Sequence, residues 1–196
     1  MCRRCSRGFL SGVDAAPGAL EHARVVAKSA GVATAALLVA LTLAHFGVTP
    51  NGVAWSVVQV VLVVIAWIDL RGRRIPNVVV LPLTAGAIAA RLTFARGSIV
   101  EVIVAASVAF IVFLALGVVV RGGLGMGDVK LAAAEGALLG RVAFDALLLG
   151  VVIGGLAALT LVATRRAGRR STYAYGPYLV LGAMVAILVW HPPRLF

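Results

Sequence analysis

Long apolar runs, each near the length of a bilayer crossing and each parted from the next by a short polar or basic turn, leave this chain few folds to choose from. They recur at about 29–46, 53–69, 77–94, 99–120, 128–140, 146–164 and 175–190. A helix needs about 20 apolar residues to cross the hydrocarbon core, and lipid accepts only segments whose backbone polar groups are satisfied internally. The expected fold is therefore all-α, a polytopic transmembrane helix bundle of about seven spans. Composition agrees, since 13% of the 196 residues are charged, against about 25% in a soluble domain. The run at 128–140 is short for a full crossing at about 1.5 Å per residue. A tilt, or an end inside the bundle, would account for it.

In a soluble protein the formal charge of +11 would invite a nucleic-acid partner. Here the charge follows the turns instead. Of the 18 Lys and Arg, only Arg91, Arg96, Arg141 and Arg194 fall on one side. By the positive-inside rule the other, basic side is cytoplasmic, which puts the N-terminus inside and makes this a multi-pass protein of the cell membrane. Residues 1–28 are then a cytoplasmic arm, 29–46 an extra N-terminal span, 53–190 a membrane core and 191–196 a short tail. Pro82 predicts a kink in the third span. Cys2 and Cys5 form a lone CxxC, half of what a structural zinc site needs, so no metal is expected.

Chemistry must be sought among seven acidic residues, because an ionisable group inside a membrane is costly enough to imply a function. Asp14 and Glu21 lie in the arm, while Glu101 and Asp145 sit at outer span ends within reach of water. Asp69 closes the second run just before LRGRRIPN, and Asp128 follows the glycines of GGLGMGD and opens an apolar helix. Both fall at cytoplasmic span ends, where one shallow site can hold them. The plainer reading is that Asp69 pairs with Arg71, Arg73 or Arg74 and that Asp128 caps its helix, and spacing alone leaves both readings open. Glu135 lies two turns beyond Asp128 on the same helix face. Tuning the site, lining a wet cavity or pairing with a base all remain open for it.

Three separated segments carry a resemblance. They are Asp69 with Ile75, Pro76 and Asn77; then Gly125-Met126-Gly127-Asp128-Val129-Lys130; and then Tyr175-Gly176-Pro177-Tyr178 followed by Leu181 and Gly182. In this order and spacing the chain resembles the type IV prepilin peptidases, GxGD-type aspartic proteases of the membrane, over about residues 67–183. The resemblance implies a six-helix peptidase core preceded by one extra span. It implies Asp69 and Asp128 as the catalytic pair, with Gly125, Gly127, Lys130, Pro76, Asn77, Gly176 and Pro177 in supporting or substrate-approach roles. The activity implied is endopeptidase cleavage of the short basic leader of type IV pilin-like precursors at the cytoplasmic face. No metal or organic cofactor is implied, and the partners are the precursor and membrane lipid, with no nucleic acid. Larger family members carry a cytoplasmic segment with paired CxxC motifs and an N-methyltransferase activity. With Cys2 and Cys5 alone, this chain resembles the short, peptidase-only form.

Two carboxyls that share one proton supply both a base and an acid. A helix macrodipole favours an anion at the N-terminus, where Asp128 lies, and disfavours one at the C-terminus, where Asp69 lies. Asp128 is thus expected as base and Asp69 as acid. Two other classes compete with a peptidase. A small ion- or proton-coupled carrier would hold its ion at the two aspartates, although such sites favour the midplane between internal repeats. A non-catalytic secretion-system assembly subunit would use its glycines only to pack helices.

Overall fold

The computed structural model describes residues 17–119, 124–164 and 175–190, and every regular element in them is helical. The order is α1 (Pro17–Phe46), α2 (Pro50–Gly72), α3 (Asn77–Phe94), a 3-10 turn (Arg96–Ser98), α4 (Ile99–Val119), α5 (Met126–Leu139), α6 (Val142–Ala163) and α7 (Gly176–Val189). Cys2, Cys5, the first part of the arm, the basic run at 165–170 and the tail lie outside the described residues. Five stretches are long and apolar enough to cross a membrane: Ser29–Phe46, α2, α3, Arg96–Val119 and α6. Helices α5 and α7 have 14 residues each, which is about 21 Å against a hydrocarbon core of about 30 Å. The bundle is all-α and polytopic, with five helices of span length and two short ones among the described residues.

Helix α1 starts at Pro17, well before the expected span. Proline suits a first turn, and the Ala, Leu, Glu and Arg that follow are good helix formers, so nothing separates arm from span. Helix α2 opens on Thr49, whose hydroxyl oxygen accepts the Gly52 N–H at 3.1 Å. It closes where Arg73 adopts a left-handed φ of 49° and returns its N–H to the Asp69 carbonyl at 2.7 Å. That stop leaves Asp69 in the last turn. Helix α3 continues unbroken through Pro82.

Helix α5 is the centre of the bundle, packed by α3, α4, α6 and α7. Its crossing with α4 is backbone on backbone, since a Cβ on Gly136 would lie 2.6 Å from Ala106 Cα. A similar approach joins α6 to α7, where a Cβ on Gly150 would lie 2.8 Å from the Tyr178 carbonyl oxygen. Small residues let membrane helices gain packing contact where apolar burial against lipid gives little.

The buried end of α5 raises a specific problem, because the last carbonyls of a helix have no partner within it. Arg91 of α3, which is 0% exposed, answers it. Its Nη2 donates to the Leu138 carbonyl at 2.8 Å, and its Nη1 donates to Ser98 Oγ at 3.1 Å. Gly140 then reverses the chain at φ 58°. Just beyond, Glu101 Oε1 accepts the Arg141 N–H at 3.0 Å and pairs with its Nε at 3.3 Å. Glu101 is thus a part-exposed ion-pair partner at its span end, and Asp145 is exposed.

Candidate active site

Four helix ends converge at one end of the bundle: the last turn of α2 and the first turns of α3, α5 and α7. Asp69, Arg73, Arg74, Asn77, Asp128 and Lys130 line a cavity of about 370 Å³ there, with the backbone of Gly125 and Gly127. Both aspartates are buried, Asp69 at 4% and Asp128 at 8% exposure, and they are close enough for the charge of one to act on the other.

Asp69 forms no ion pair with the arginines that follow it; among the described residues the recorded ion pair is Arg141 with Glu101. Arg71 instead lies over the Trp67 ring, 4.2 Å from its centroid, a cation–π contact. Among the described residues the Asp69 Oδ2 has no partner in full hydrogen-bond geometry, although the Gly176 N–H is near enough to act on that carboxyl. It faces the first residue of α7, where a Cβ on Gly176 would lie 2.7 Å from Oδ2 and 3.2 Å from Cγ. Asp69 therefore ends its own helix but confronts the N-terminus of another, whose dipole favours its anion. The expected asymmetry between the two acids loses its basis.

Asp128 is the third residue of α5, with Gly125 as the N-cap. Its Oδ2 accepts the Gly125 N–H at 3.1 Å, so it braces the helix start from inside while lining the cavity. Helix α5 is not of span length, and its first turn faces this cavity. Burial pushes the Asp128 carboxyl up to about 6; the Gly125 N–H opposes the rise and the Asp69 charge adds to it.

Ile75 joins the segments. A Cβ on Gly127 would lie 3.0 Å from Ile75 Cβ, and one on Gly176 would lie 3.1 Å from Ile75 Cδ1. What Gly127 and Gly176 accommodate first is thus the protein's own Ile75 and Asp69. Gly125 is exposed at the cavity. Lys130 Nζ donates to Asn77 Oδ1 at 3.1 Å and ties α5 to α3. Pro76 is the N-cap of α3 and accepts the Val79 N–H at 3.0 Å, and Pro177 is buried in the first turn of α7. Neither proline is on the cavity wall.

Tyr175 donates its hydroxyl to the Val151 carbonyl at 3.2 Å. Burial pushes its phenol up, and the Asp128 charge adds to that. Glu135 is 0% exposed, and neither of its carboxyl oxygens has a hydrogen-bond partner among the described residues. It does not line the aspartate cavity. No group of three or more His, Cys, Asp or Glu among the described residues is placed to hold a metal ion.

Two residues have places in the structure that the sequence reading did not assign them. Ile75, quoted above only for the resemblance, carries no chemical signal of its own, being one aliphatic residue between a basic turn and a proline. Arg91 did carry one, because it is a cation inside an apolar run, but it reads as part of the outer basic set.

A profile of the type IV leader peptidase family matches residues 56–163, a stretch that includes both aspartates. The chain is 31% identical over 134 residues to the prepilin leader peptidase/N-methyltransferase of Aeromonas hydrophila, covering 65% of this chain and 46% of that one. It is 29% identical over 128 residues to the protein of the same description from Bacillus subtilis (strain 168), covering 65% and 52%. The chain spans about half the length of these curated relatives. No solved structure matches it.

Proposed function

We propose, from the premise that this chain belongs to the type IV leader peptidase family, that it is an aspartic endopeptidase. Its substrate is the basic leader of type IV pilin-like precursors, cut at the cytoplasmic face of the membrane. The observation that carries this reading is the single cavity lined by both Asp69 and Asp128. Like charges a few ångströms apart resist double ionisation, so the pair holds one proton and titrates as a unit. The ionised carboxyl takes a proton from a water molecule as that water attacks the scissile carbonyl carbon. The protonated carboxyl supplies the proton that the departing amine needs. Asp128, whose carboxyl burial pushes up to about 6, acts as the acid and Asp69 as the base, the reverse of the assignment expected from the helix ends in the sequence.

The test is cleavage of a purified pilin-like precursor by the full chain in nanodiscs, with Asp69→Asn and Asp128→Asn alongside. Loss of cleavage in both substitutions, with insertion unchanged, is expected. Cleavage that survives either substitution rules out the paired-carboxyl mechanism.

A further inference from the structure

Helix α5 carries Asp128, and its register along its own axis decides where that acid sits. Its buried surface mixes small residues, Ala132, Ala134, Gly136 and Ala137, with the larger Val129, Leu131, Leu138 and Leu139. Packing of this kind is non-directional, so it favours many contacts without singling out one of them. Directional bonds add to it, and α3 supplies one at each end. Asn77 accepts from Lys130 beside the cavity, and Arg91 donates to the Leu138 carbonyl at the opposite end. A cation at that point also complements the negative end of the α5 dipole. As a mere marker of membrane sidedness Arg91 would reach water, yet it is fully buried with its guanidinium on a backbone carbonyl and on Ser98.

We propose that Arg91 is a positioning residue for Asp128: from the far end of the bundle it fixes the axial register of α5 and so the place of that acid beside Asp69. The catalytic consequence rests on the peptidase reading, whereas the register does not. A misplacement of about 1 Å far from the chemistry can cost on the order of a hundredfold in rate.

The experiment compares Arg91→Met and Arg91→Lys with the parent, using two readouts. The first needs no activity: the rate of disulfide formation between Ile75→Cys and Gly127→Cys, with Cys2 and Cys5 replaced by Ser. The second is kcat and KM for precursor cleavage without the added cysteines. Arg91→Met should insert, because apolar replacement of a buried charge is often tolerated. It should slow cross-linking about tenfold and lower kcat by about tenfold or more at nearly constant KM, and Arg91→Lys should recover part of both. Parent-rate cross-linking in inserted Arg91→Met overturns the proposal, as does a parent kcat in a protein that cleaves. If Arg91→Met fails to insert, Ser98→Ala, which removes the Nη1 acceptor, is measured in the same way; slower cross-linking supports the proposal and the parent rate overturns it. If the parent cleaves no precursor, cross-linking still decides the register claim, and only the peptidase reading falls.

Discussion

Gly176→Ala sets a single methyl against the proposed base. The added carbon would lie 2.7 Å from Asp69 Oδ2, 3.1 Å from Ile75 Cδ1 and 3.2 Å from Asp69 Cγ. Ordinary contact begins at 3.4 Å, so the carboxyl, the softest partner present, must retreat by about 0.7 Å, more than the ~0.5 Å tolerance of a working constellation. Scaled against the hundredfold cost of a 1 Å error, kcat should fall about 10- to 100-fold, equivalent to about 1.4–2.7 kcal/mol in the barrier. Folding should survive, because a side chain can swing away. Gly155→Ala on α6 is the matched control, with nothing among the described residues within 4 Å of its added carbon, and its kcat should equal the parent's. The assay is a time course of precursor cleavage in nanodiscs, read by gel mobility, with melting temperature measured on the same samples. Parent kcat in inserted Gly176→Ala would refute the argument that the contact at Gly176 fixes a reacting carboxyl.

Asp128 is held near 6 in place of its usual 3.8, so the folded protein binds that proton more tightly than the unfolded chain does. The stability it contributes is full below about pH 4 and is lost as pH rises through about 6. Asp128→Asn cannot ionise, so its melting temperature relative to the parent should climb between about pH 4 and pH 8; a constant difference contradicts the shift. Gly136→Ala would place a carbon 2.6 Å from Ala106 Cα, which is backbone and cannot swing aside. It should cost about 1–3 kcal/mol, and parent-like melting would count against so close a crossing. Gly127→Leu should abolish cleavage while leaving insertion intact, because Ile75 already stands 3.0 Å from the position of its Cβ; unaffected turnover would refute the tight fit.

The helical runs are legible in the sequence because lipid permits so few alternatives, and α3 occupies the residues expected of it. That α1 runs without a break from Pro17 into the span is not legible, since no residue marks where the arm ends and the span begins. The shortness of α5 can be read directly from 128–140, but its central place cannot, because that depends on glycine contacts with α4 that are set only in three dimensions. The two aspartates can be assigned to one side by counting basic turns. Which of them favours its anion cannot be read the same way. A dipole argument made along the chain sees only the acid's own helix, and the helix end that faces Asp69 belongs to Gly176, far away in sequence.

Ile75 rests against Gly127 on one side and Gly176 on the other, so one aliphatic side chain in the turn between α2 and α3 touches the first turns of both α5 and α7. That turn begins where α2 stops, and Asp69 projects from the last turn before the stop. The neighbourhoods of the two acids are therefore not independent: a change of size at position 75 reaches both at once, although the residue there carries no charge and offers no hydrogen bond of its own.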